Sequence, residues 1–217
     1  MKPSILVFEA HPDDVEIGMG GTLGLLKDVS NITLLTFSDG SKSPLTNSRN
    51  ENIRIRKMES RKAASMTNAE RVYFDFEDAN LINSKDKVQY IVEKYIDKHS
   101  PELIFTHWYD DTHTDHKTIG DVFRSINPSN AIYWEEYSTL IFKPNIYVNI
   151  TGKMHFKRRL LECYQSQWYT IRYAEVLKLD KMRGDDIKSA GAEAFFSSHK
   201  QVREKFMNLL GEKVILK

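Results

Sequence analysis

The sequence predicts an α/β fold, a mostly parallel sheet with helices on both faces. Three observations carry that prediction: short branched apolar runs at residues 4–10 (SILVFEA) and 31–37 (NITLLTF), a segment of helical length between them, and repetition of this strand-helix alternation down the chain. The 217 residues have no Pro/Gly/Ser-rich linker between comparably apolar halves, so residues 1–217 are expected to form a single domain.

Taken in order, residues 4–10 form the first strand, 22–29 a helix and 31–37 the second strand. The stretch 39–51 (DGSKSPLTNSRNE) is polar enough to be a mobile loop over whatever site exists. A charged amphipathic helix follows at 50–66, then a strand at 71–76, a helix at 87–98, a strand at 102–106, a helix at 116–125 and a strand at 131–137. Beyond these the pattern is less regular, with a strand at 145–150, a long helix from 151 to about 165, and a tail whose elements the periodicity does not separate. In such a doubly wound, Rossmann-like sheet the first strand is central and winding reverses between strands one and four, so the loops at their carboxyl ends face one crevice. Those loops are HPDDVE and HWYDDTHTDH.

Composition excludes several function classes. Lys plus Arg number 31 against 30 Asp plus Glu, which gives no electrostatic reason for nucleic acid or an anionic membrane as partner. A small-molecule partner is expected. The single Cys163 cannot build a disulfide framework, the N-terminal apolar run of four residues is too short for a signal peptide, and no stretch reaches the ~20 apolar residues of a membrane span. The chain therefore reads as cytoplasmic.

The chemistry concentrates in the two facing loops. His107, His113 and His116 fall within ten positions, with Asp110, Asp111 and Asp115 among them. Two imidazoles and a carboxylate are the ligand set of a catalytic zinc site, which keeps a position open, whereas a structural site would call for cysteines. His11 and Asp14, three apart on a tight turn, can converge on one ion, and Asp13 between them must point elsewhere. A carboxylate beside the ion suits metal-assisted hydrolysis, in which the ion acidifies water and a base takes its proton, so Asp13 is the expected general base. His116, opening a helix whose positive end favours neutral imidazole, is the expected third ligand. That leaves His113 as a charged donor to a developing oxyanion, with Asp115 as a partner for its ring. His107, at the end of a strand, reads as structural.

With those residues in place, AHPDDVEIGMGG and the downstream HTDH resemble the two signature motifs of the LmbE/PIG-L family of zinc-dependent de-N-acetylases, which act on N-acetylglucosamine-type sugars on various carriers. The resemblance extends to Arg56 and Glu59 in RKMESRKAA, to PNIYVNIT at 144–151, to Ser166-Gln167 and to AEAF at 193–196. It implies one zinc ion on His11, Asp14 and His116, Asp13 as base, His113 as oxyanion stabiliser or acid, Arg56 as a substrate-side cation, and an amino-sugar conjugate as substrate. One departure is Asn149, an amide where the family often carries a carboxylate.

Simpler readings compete at several positions. Arg56 could be an exposed partner of Glu59 one turn on. Gly18, Gly20, Gly21 and Gly24 do not fit a phosphate-binding loop, since Leu23 takes its third glycine position, and close packing of the first helix explains them better. Lys153, Lys157, Arg158 and Arg159 read as a solvated basic face. Trp108 and Tyr109 could wall a sugar ring or fill the core, and Glu16 is expected to support the HPDD turn. Two other classes share parts of this pattern: a non-haem iron oxygenase uses two histidines and a carboxylate, and a non-catalytic relative could keep the fold. Oxygen dependence and acetate release from N-acetyl sugars discriminate them.

Overall fold

The central strand β1 (Ser4–Glu9) is buried along almost its whole length, as an Ile-Leu-Val-Phe run requires. It pairs in parallel with β2 (Asn31–Ser38) on one side and β4 (Leu103–His107) on the other. A computed structural model describes residues 1–42, 46–167 and 173–217; residues 43–45 of the polar loop lie outside the described residues. β3 (Glu70–Phe76) and β5 (Ala131–Trp134) extend the parallel portion, and the sheet ends in antiparallel strands, giving the order β3-β2-β1-β4-β5-β7-β6-β8 with β6 (Ile146–Asn149), β7 (Ala192–Phe196) and β8 (Val214–Leu216). This is the mostly parallel, Rossmann-like arrangement expected, with the winding reversal between β1 and β4.

Alternation along β1 divides the core in two. Ile5 and Val7 face a cluster with α1 (Asp14–Leu26), α5 (Met154–Leu161) and α7 (Lys200–Leu210), while Leu6 and Phe8 face one with α3 (Lys85–His99) and α4 (Thr114–Ile126). The remaining long helices are α2 (Arg49–Thr67) and α6 (Tyr173–Asp186). Among the described residues no helix is long and apolar enough to cross a membrane.

The first helix begins eight residues before the predicted one, because its glycines are helical. A Cβ on Gly18 would lie 2.4 Å from Trp134 Cδ1 and one on Gly21 2.8 Å from Ile150, so the helix can only lie this close to its neighbours without side chains there. The helix breaks at Met19 (φ −144°, ψ 25°), and the amides freed by the break, Gly21 and Thr22, donate to the Glu193 carboxylate on β7 at 2.8 and 2.7 Å. Lys157 completes this cluster, 2.9 Å from Glu193 and 2.8 Å from Asp180. It is buried, which corrects its place on a solvated basic face; Arg158 and Arg159 are exposed as expected.

The helix predicted to run to about residue 165 instead ends at Leu161. Cys163 and Tyr164 take i−3 carbonyl partners, and the tightened chain turns Tyr164 inward before a 3-10 turn at Gln165–Gln167.

Candidate metal and active site

The HPDD turn is built at the carboxyl end of β1. His11 O accepts the Asp13 N–H at 2.9 Å, and the His11 N–H donates to Asp14 Oδ2 at 2.7 Å, which folds the Asp14 carboxylate back over the turn. Asp13 occupies the position before α1 where an aspartate usually caps the helix, yet its side chain makes no capping bond. Glu9 does that work, accepting the Val15 N–H at 3.1 Å. The Asp13 carboxylate is thereby left to Arg56, which donates from Nη2 to Oδ1 at 2.8 Å and from Nη1 to Oδ2 at 3.1 Å. Arg56 is buried, and Glu59 instead accepts from Ser166 N and Oγ, so the exposed Arg56–Glu59 pair does not form.

Behind the turn lies a second buried ion cluster. Arg71 of β3 reaches Glu9 at 2.9 Å and Glu16 at 2.7 Å, so Glu16 supports the turn through Arg71. Burial raises the Glu9 carboxyl to about 8, against the pull of Arg71.

The crevice between β1 and β4 brings the predicted ligand atoms together. His11 Nδ1 and His116 Nε2 are 3.2 Å apart, and they lie 3.3 Å from different oxygens of Asp14, His11 from Oδ2 and His116 from Oδ1. Four ligands placed tetrahedrally about 2.0 Å from one zinc ion are themselves about 3.3 Å apart, so the two nitrogens stand at the spacing of two corners, and the Asp14 carboxylate, which meets one nitrogen with each oxygen, is placed to supply a third. The far nitrogens fit as well. His11 Nε2 is 3.3 Å from Asp78 Oδ1 and from Asp115 Oδ2, and His116 Nδ1 is 3.5 Å from Asp111 Oδ1, the carboxylate backing that orients metal-binding histidines. His11 is held well above the usual histidine range: burial pulls it down, and Asp14, Asp115 and Asp78 outweigh that pull. The Asp78 carboxyl is lowered to about 2, burial being outweighed by His11. The cluster is a strong cation-binding field.

His107 touches Asp14 from the far side. Its Nε2 accepts the Ala10 N–H and lies 3.1 Å from Asp14 Oδ2, while Nδ1 is 3.3 Å from Glu136, itself held by the Trp134 indole N–H at 2.7 Å. Both ring nitrogens lie against protein groups, and His107 also stands with Asp14 and His116 in one cluster of ligand atoms.

Two expectations about the donor side change. Asp115 does not hold the His113 ring; its carboxylate accepts the Ala79 and Leu81 N–H groups and meets His11. Burial and the charges of His11 and His116 lower His113 to about 4, which favours a neutral ring over the charged donor expected. Its Nδ1 accepts the Asp115 N–H at 3.3 Å, which places the ring proton on Nε2. It packs against the rings of His11 and His116 at 4.5 and 4.6 Å.

His11, Asp13, Asp14, Arg56, His113 and His116 line a cavity of about 320 Å³, whose wall also includes Ile17, Lys42, Tyr137 and Gln167. Trp108 and Tyr109 take no part in it. Trp108 packs on Tyr133, Phe142 and Phe196 and donates to Ile141 O, and the Tyr109 backbone lies against Gly120. Tyr137 supplies aromatic surface instead. Sequence reasoning missed Asp78, Glu136 and Tyr137. Asp78 follows β3 and Glu136 and Tyr137 follow β5, so the signal was available: each lies just beyond the carboxyl end of a parallel strand, the rim on which this sheet type builds its sites. Asn149, the departing amide, accepts the Thr151 N–H at 3.0 Å.

The PIG-L family model, described as GlcNAc-PI de-N-acetylase, matches residues 6–127, which hold every residue of the metal cluster. The diacetylchitobiose deacetylase of Thermococcus kodakarensis is 26% identical over 189 residues, 76% of this chain and 70% of that protein. Among solved structures, the N,N'-diacetylchitobiose deacetylase from Pyrococcus horikoshii has a TM-score of 0.80 at 22% identity, covering 89% of this chain and 83% of its own. GalB, the 4-carboxy-2-hydroxymuconate hydratase of Pseudomonas putida, has a TM-score of 0.74 at 18% identity, covering 91% and 96%. At these identities the structural likenesses speak for the fold alone.

Proposed function

Because the chain belongs to the PIG-L (LmbE) family of de-N-acetylases, we propose that it hydrolyses the N-acetyl amide of an N-acetylglucosamine-type conjugate, with His11, Asp14 and His116 holding one zinc ion. The observation that carries this reading is the meeting of His11 Nδ1 and His116 Nε2, 3.2 Å apart, over the Asp14 carboxylate, whose Oδ2 and Oδ1 lie 3.3 Å from them in turn, beside an Asp13 carboxylate gripped by Arg56. Zinc at such a site supplies a water whose pKa is lowered to roughly 7 and a Lewis acid for a carbonyl oxygen.

The chain's own groups divide the remaining work. Asp13 is the base: Arg56 grips both of its oxygens, which fixes the carboxylate plane, and the proton it takes can pass to the nitrogen of the departing amine. His113 donates its Nε2–H to the oxyanion of the tetrahedral intermediate, and a neutral ring suffices because its tautomer is set by the Asp115 N–H. Asp78, Asp115 and Asp111 orient the ligand rings, and His107 backs Asp14. Tyr137 in the cavity wall offers a surface for a sugar ring.

The test is acetate release by the zinc-loaded protein from N-acetylglucosamine, N,N'-diacetylchitobiose and larger N-acetylglucosamine conjugates. Asp13→Asn is expected to keep its zinc and lose about 10²–10⁴ in kcat, as removal of a general base does. His116→Ala is expected to lose the zinc itself. An Asp13→Asn variant that keeps wild-type kcat would sink the mechanism, and silence of the wild type on the whole panel would sink the substrate class.

A further inference from the structure

The turn after β2 carries chemistry that the hydrolytic step does not use. Gly40 stands in the left-handed region (φ +64°), and Arg56 and Pro12 pack where its Cβ would be. Beyond it the chain is pinned at two successive amides. Ser41 N–H donates to Asp39 Oδ1 at 2.9 Å, Lys42 N–H donates to Asp78 Oδ2 at 2.9 Å, and Asn52 Nδ2 donates to Ser41 O at 3.1 Å. All three side chains that hold the turn are buried. The backbone of Lys42 is therefore tied to the same carboxylate that meets His11, and Lys42 lines the cavity at its exposed edge.

The other cationic groups of the cavity already have partners. Arg56 is paired with Asp13, and His11 and His116 with Asp14, whereas among the described residues Lys42 Nζ has neither an ion pair nor a hydrogen bond. At about 320 Å³ the cavity is at the small end of ligand pockets, so a substituent on a bound sugar ring would emerge at the edge where Lys42 stands. The Lys42 side chain springs from a backbone held at that edge, and its ammonium, which makes no ion pair with the carboxylates of the cavity wall, is matched to an anion. We propose that Lys42 determines specificity by binding an anionic substituent, a phosphate or a carboxylate, on the acetylated amino sugar. The proposal rests on the de-N-acetylase reading for its sugar frame and on the Lys42 turn for its charge.

The experiment compares N-acetylglucosamine with its 1-phosphate, its 6-phosphate and N-acetylmuramic acid, using the zinc-loaded wild type, Lys42→Met and Lys42→Glu. The wild type is expected to prefer at least one anionic sugar by about tenfold or more in kcat/KM, carried mainly by KM. Lys42→Met brings the ratio of anionic to neutral sugar near one, and Lys42→Glu reverses it. Whichever anion leads separates phosphate from carboxylate. Equal kcat/KM for all four sugars in the wild type, or a preference that survives Lys42→Met, overturns the proposal. If no sugar releases acetate, the de-N-acetylase reading fails on its own, and equilibrium binding of the three anionic sugars still decides the role of Lys42: about tenfold weaker binding to Lys42→Met supports it, and equal binding overturns it.

Discussion

Asp13 shows how one residue is freed for chemistry by reassigning its structural duty. An aspartate ahead of a helix ordinarily satisfies one of the helix's free amides, worth roughly 1 kcal/mol. Here Glu9 accepts that amide from the preceding strand, and Asp13 turns to Arg56. The guanidinium makes two parallel bonds that fix the carboxylate plane, something a single ammonium cannot do. Arg56→Lys should therefore keep its zinc, since it touches none of the proposed ligands, and lose about tenfold in kcat as Asp13 gains freedom to rotate. Steady-state kinetics beside metal analysis checks this. An Arg56→Lys enzyme with wild-type kcat would show that the bidentate grip is dispensable.

At the scale of elements, what was legible in the sequence followed local signals, and what was not depended on distant partners. Residues 4–10 and 31–37 announced strands because burial on both faces demands unbroken branched apolar runs. The first half of α1 was only partly legible: the glycines point to close packing of the first helix, but that Gly18 to Gly21 lie within it depends on Trp134 and Ile150, more than a hundred residues away. Lys157 looked solvated for the same reason, since Asp180 and Glu193 come from the tail that periodicity could not divide. The proposed metal ligands were the opposite case, because His11 and Asp14 share one turn, His116 lies in a histidine-rich stretch, and only the crevice that joins them had to be inferred. Asp78 had no such neighbour.

The Lys157 cluster also makes a pH prediction. Burial raises the Asp180 carboxyl to about 6, with Lys157 opposing the rise and Glu193 adding to it. A carboxyl raised in the folded state contributes stability below its ordinary pKa near 4, and that contribution is lost as pH rises through about 6. Asp180→Asn cannot titrate. The stability of the wild type relative to Asp180→Asn should therefore fall by on the order of 2 kcal/mol between pH 4.5 and 6.5. Urea unfolding of both proteins at the two pH values measures it, and a difference independent of pH would mean that Asp180 stays ionised throughout.

For the whole molecule, the fold leaves the reaction open and the site narrows it. A hydratase shares this architecture with de-N-acetylases, so the sheet order by itself selects no chemistry. The sheet provides a place where the ends of β1 and β4 meet, and the proposed ligands come from both sides of that meeting: His11 and Asp14 from the first turn, His116 from α4. An ion bound there would link two halves of the doubly wound sheet and neutralise carboxylates gathered from the ends of three strands, Asp14 after β1, Asp78 after β3, and Asp111 and Asp115 after β4. Its binding must then appear in global stability. At a free zinc concentration 100 times the dissociation constant, linkage contributes about 2.7 kcal/mol, and for a domain of this size each kcal/mol moves Tm by roughly 2–4 °C. Stripping the protein with a chelator should lower Tm by about 5–11 °C, zinc should restore it, and His116→Ala should respond to neither treatment. Thermal unfolding followed with and without chelator tests this without reference to any substrate. A wild-type Tm indifferent to both chelator and added zinc would mean that the triangle of His11, Asp14 and His116 holds no ion, whatever the chain hydrolyses.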